Sequence, residues 1–76
     1  MKTFVRDEFS TANVASMEPG ESIIVTCRNA RDVQNVRLIA AQFKRLYEPK
    51  NIARYASQAK QNEDGTISLE LTAVTE

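Results

Sequence analysis

Two kinds of residue in this chain carry chemistry beyond folding: one thiol and a crowd of cations. Cys27 is the single cysteine and histidine is absent, which excludes an internal disulfide and leaves no zinc-binding constellation. Cys27 closes an apolar run just before a segment patterned as a helix, where the helix dipole and Arg28 would lower a thiol pKa. A phosphate-cleaving cysteine loop, however, needs the spacing C-x5-R and glycines that let backbone N–H groups converge on the anion. Here Val33 occupies the arginine's position and no glycine intervenes, so Cys27 reads as structural. The carboxylate pairs Asp7-Glu8 and Glu63-Asp64 fall in polar, turn-like sequence and read as solvated loops. Without histidine, a general base would have to be a carboxylate or lysine of shifted pKa, in a pocket that so small a domain has little room to form. The chain reads as non-enzymatic, with no cofactor, no metal and no small-molecule substrate.

The cations are distributed unevenly. The formal net charge is zero, yet residues 28–60 hold eight basic and two acidic side chains, a net +6, and the remainder holds two basic and eight acidic ones, a net −6. Such asymmetry points to an anionic partner. The competing reading is internal, with acidic strands lying beside a basic helix and neutralising it.

Four of these eight cations, Arg31, Arg37, Lys44 and Arg45, belong to one helix, expected over residues 29–48. On a 100° per residue wheel Val33, Val36, Ile39, Ala40, Phe43, Leu46 and Tyr47 share roughly 140° of arc, and Arg31, Gln34, Arg37, Lys44 and Arg45 fall opposite. Asn29 is a good N-cap, Asp32 places a carboxylate at the positive end of the dipole, and Pro49 disfavours continuation. Arg31, Gln34 and Asn35 mix cationic and amide groups able to read base edges, and Arg37, Lys44 and Arg45 suit phosphates. Nucleic acid, duplex DNA in particular, is the expected partner. No aromatic platform of the RNA-binding type is expected, because Phe43, Tyr47 and Tyr55 are assigned to the core. The rival surface is Leu38 with Ala41, an apolar anchor in a polar rim that would suit a host protein or a second copy of the chain.

Around the helix the sequence places strands. Residues 22–27 (S-I-I-V-T-C) are rich in β-branched residues and read as a central strand. Residues 14–17 are expected to pair with it as a short strand through a type II turn at Glu18-Pro19-Gly20-Glu21, where proline presets φ and glycine takes the positive φ. Residues 52–60 and 66–74 alternate, and Asp64-Gly65 between them signals a hairpin. The expected fold class is α+β, an antiparallel sheet of three to four strands in the order β-β-α-β-β, with one amphipathic helix packed on one face. Residues 1–76 form a single small domain, of which residues 1–12 are expected to be a loosely held N-terminal arm.

The stretch M-E-P-G-E-S-I-I-V at residues 17–25, followed by a basic helix and then a hairpin opening near Arg54, resembles a loose group of small phage-encoded proteins. Those carry M-x-x-G-[DE]-S-[FI]-x-V, a helix of similar length and a C-terminal hairpin. The resemblance covers residues 14–74 and implies a phage origin and this fold. In that group the last strand commonly runs G-x-R-V-W-R, whereas this chain has Gly65-Thr66-Ile67-Ser68-Leu69-Glu70-Leu71, which argues against nucleic-acid contact through the sheet face.

A single core of 76 residues only narrowly offsets chain entropy, so a homodimer is expected. No apolar run approaches the ~18 residues of a membrane span, and Arg6, Asp7 and Glu8 interrupt any signal-peptide pattern. The expected location is the cytoplasm, that of the host if the chain is phage-encoded.

Overall fold

In the computed structural model, which describes residues 2–75, the chain forms an α+β fold with a four-stranded mixed sheet and one main helix. Met1 and Glu76, both counted in the expected domain and Glu76 in its acidic tally, lie outside the described residues. The elements run β1 (Lys2–Val5), a 3-10 turn (Arg6–Glu8), α1 (Thr11–Ala15), β2 (Ser22–Cys27), α2 (Ala30–Tyr47), β3 (Ile52–Gln61) and β4 (Ile67–Thr75). In space the strands are ordered β1-β2-β4-β3.

Four strands around one main helix, in the order β-β-α-β-β, match the expectation, with two corrections. The sheet is not purely antiparallel, because β1 pairs with β2 in parallel, Lys2 against Ile23 through Val5 against Thr26. The first hairpin also does not exist. Residues 14–17 are not a strand, and within the arm expected over residues 1–12 the described residues form β1, a 3-10 turn and the start of α1. Parallel neighbours cannot be joined by a tight turn and need a crossover, and residues 6–21 supply it. Phe9, Val14 and Met17 are buried in that crossover and belong to the core. Ser10 caps α1, its backbone N–H donating to Asn13 Oδ1 at 2.7 Å.

The turn at residues 18–21 does form, with the Glu21 N–H donating to the Glu18 carbonyl at 2.9 Å and Gly20 at φ +86°. It delivers the crossover into β2 and is pinned to β4 by hydrogen bonds from Gly20 N–H to the Ala73 carbonyl and from Ala73 N–H to the Glu21 carbonyl. The second hairpin is as expected. Gly65 takes φ +90°, Asp64 Oδ1 accepts from the Thr66 N–H at 3.0 Å and from its hydroxyl at 2.6 Å, and Gln61 pairs with Ile67.

Alternation along the strands sorts the sheet into two faces. Ile23, Val25 and Cys27 on β2 lie directly opposite Leu71, Leu69 and Ile67 on β4, and Tyr55 on β3 lies opposite Ala73. This face meets Val33, Val36 and Ala40 of α2, with Ile39 and Phe43 half-buried beside them. The other face carries Arg54, Gln58 and Lys60 on β3 against Val74, Glu70 and Ser68 on β4. It is polar, with a hydrogen bond of 2.7 Å between the Ser22 and Thr72 hydroxyls.

Candidate nucleic-acid interface

The α2 cations are positioned by a helix whose ends are both fixed chemically. At the start, Asn29 Oδ1 accepts from the Asp32 N–H at 3.0 Å, as the N-cap pattern requires. At the end, Glu48 turns into the left-handed region at φ 43°, and its N–H still reaches the Lys44 carbonyl at 3.0 Å before Pro49 stops the helix. Between these points the buried stripe of Val33, Val36 and Ala40 sets the rotation.

That rotation places the expected residues in two rows. Arg31, Gln34, Asn35, Leu38, Ala41 and Arg45 are all exposed and fall within roughly 120° on the outer side of the helix. Arg37 and Lys44 form a second row on the flank of α2. Arg37 Nε donates to Ser57 Oγ on β3 at 2.8 Å, which tethers the guanidinium to the sheet edge while leaving it exposed. Lys44, seven residues further along the same flank, is half-buried. From Arg31 to Arg45 the helix rises about 21 Å.

Among the described residues no carboxylate pairs with Arg31, Arg37, Lys44 or Arg45. Among the described residues the ion pairs are Arg28 with Asp7 and Arg28 with Asp32, both at 3.2 Å. The internal-neutralisation reading therefore applies to Arg28 and not to Arg31, Arg37, Lys44 or Arg45. Arg54 and Lys60 do not join this surface, because they project from the opposite face of the sheet. The basic segment is thus divided between two surfaces, with the greater share on α2.

The aromatic assignment needs correction. Tyr55 is half-buried under the helix, but Tyr47 is 65% exposed and Leu46 69% exposed, so neither belongs to the core. A wheel reports direction around the helix axis and not how far the sheet extends beneath it, and these two residues lie in the last turn. Tyr47 rests on Phe43 at a centroid distance of 4.9 Å and an interplanar angle of 34°, and Phe43 meets Tyr55 edge-on at 6.2 Å. The helix stop at Pro49 is the one sequence signal that would have marked Tyr47 as a residue at an element's margin. On the outer row Leu38 is 55% exposed.

Residues considered for catalysis are scattered. Cys27 is buried at the end of β2, and burial followed by the negative charge of Asp32 pushes its thiol pKa up, against a smaller opposing pull from Arg6. The net shift is upward, so the thiol is not activated. Asp7 and Glu8 lie in the exposed 3-10 turn and Glu63 and Asp64 in the hairpin loop. Among the described residues no group of three or more metal-ligating side chains converges, and no helix is long and apolar enough to cross a membrane. No family model, curated protein or solved structure matches this chain.

Proposed function

We propose that this chain is a small non-enzymatic protein, of the phage-encoded kind its sequence motif resembles, that binds nucleic acid through the outer and flanking rows of α2. One observation carries the reading: Arg31, Arg37, Lys44 and Arg45 sit on one helix without a carboxylate partner among the described residues. Four cations spread over about 21 Å of rigid helix match the repeated charge of a phosphate backbone. Gln34 and Asn35 lie between them, where amides reach base edges.

The test is affinity against salt for a labelled duplex and for a single strand of the same length. Binding should weaken steeply with salt, and reversing Arg37 and Lys44 to glutamate should flatten the slope by about 0.7 to 0.9 for each phosphate that the variant no longer neutralises. Absence of binding to either probe at low salt, or binding indifferent to these reversals, would sink the proposal.

A second reading is favoured by Leu38, which exposes apolar surface among the outer-row polar groups. In it the same helix face docks on a host protein through Leu38 and Ala41, with Arg45 and Gln34 as rim. A pull-down from host lysate under nuclease treatment separates the two: a stoichiometric protein that disappears on Leu38→Glu supports this reading.

A further inference from the structure

We infer that Tyr47 is a stacking platform for an unpaired base, so that the nucleic acid held by α2 is single-stranded. This rests on the nucleic-acid reading above and specifies its substrate. Tyr47 is the one aromatic side chain among the described residues with most of its surface in solvent. Its ring is nevertheless held. Phe43 supports it at 4.9 Å and is itself fixed edge-on by Tyr55 at 6.2 Å. A ring already fixed in place loses little freedom when a base stacks on it.

The neighbouring charges suit the backbone that would accompany such a base. Lys44 lies one turn earlier and Lys50 three residues later, with Glu48 the single acidic residue between them. Arg37 extends the flank row about 10 Å further from Lys44 along the helix. Proteins that hold single strands combine a cationic track with aromatic rings that accept bases face-on. A duplex keeps its base faces stacked inside and offers only base edges in its grooves, so it has nothing for an exposed ring at the end of a cation row to engage.

The experiment compares the intact chain and its Tyr47→Leu, Tyr47→Ala and Tyr47→Phe variants on a short labelled oligothymidine and on a mixed-sequence duplex of equal length, at low salt. The leucine variant keeps an apolar neighbour for Phe43, so that weaker binding is not loss of fold, and a thermal melt of each variant checks this. The expected result is tighter binding of oligothymidine than of duplex. Tyr47→Leu and Tyr47→Ala should lose roughly tenfold on oligothymidine and little on duplex, with Tyr47→Phe close to the parent. Equal binding of the two probes, with Tyr47→Leu leaving both unchanged, overturns the stacking role while the helix-face reading stands. No binding of either probe overturns both.

Discussion

Arg28 and Asp32 are joined twice through a single oxygen: the backbone N–H and the Nε of Arg28 both donate to Asp32 Oδ2, at 3.1 and 3.2 Å. The Asp32 N–H in turn donates to Asn29 Oδ1. The three residues close the start of α2, and Arg28 reaches from there to Asp7 in the 3-10 turn. One cluster therefore ties the parallel crossover to the main helix.

The first prediction concerns acid. The hydrogen bond from the Arg28 N–H, then that from its side chain and its positive charge, holds the Asp32 carboxyl below the ordinary aspartate value, against a smaller desolvation effect. A carboxyl whose folded pKa is depressed contributes stability above the unfolded pKa, about 3.9, and loses it as pH falls from there through the folded value. Asp64, held low by the Thr66 hydroxyl and N–H, adds to the same decline. Urea melts across acidic pH should show this fall, and Asp32→Asn should flatten it. Asn29→Ala should cost about 1 kcal/mol at neutral pH through loss of the cap. Asp7→Asn should cost less, since its ion pair with Arg28 is solvent-exposed on both sides.

Cys27 gives the second prediction. Its thiol is fully buried, with Sγ donating weakly to the Val25 carbonyl at 3.7 Å, and burial raises its pKa. A thiolate is the reactive species, so iodoacetamide at mildly alkaline pH should leave the native protein unmodified and label it once in denaturant. Labelling of the native chain at the rate of a free thiol would mean that the core beneath the end of β2 opens to solvent.

What the sequence made legible follows a physical division between local and non-local signals. α2 was readable because a repeat of 3.6 residues, an N-cap at Asn29 and a stop at Pro49 all lie within one segment. β3 and β4 were readable because alternation brackets Asp64-Gly65, and the hairpin pairs nearest neighbours. β1 was not readable as a sheet strand, because its partner is β2, some twenty residues away, and a four-residue strand has too little alternation to announce itself. α1 is five residues long, and Val14 inside it looks like the start of a strand until β1 takes the place beside β2 that such a strand would have filled. At the candidate site the cations were legible as residues, and their lack of a carboxylate partner among the described residues was not. That depended on where Asp7, Glu70 and the other acidic groups would lie in space.

The third prediction tests the segment most misread from sequence. Val14 is fully buried in α1, and Leu69 is fully buried in β4. If the crossover is as much a part of the core as the hairpin, Val14→Ala should cost about 1–3 kcal/mol by removing two buried methyl groups, and Leu69→Ala about 2–5 kcal/mol. Leu38→Ala, at a site 55% exposed, should stay within about 0.5 kcal/mol. Denaturant melts of the three variants measure this directly. A crossover that is not docked on the core would make Val14→Ala as silent as Leu38→Ala, and the Asp7–Arg28 ion pair would then have nothing to hold. Agreement of Val14 with Leu69 would instead place the parallel strand, the crossover and the hairpin in one cooperative unit, so that the cations of α2 stand on a scaffold braced from both sides.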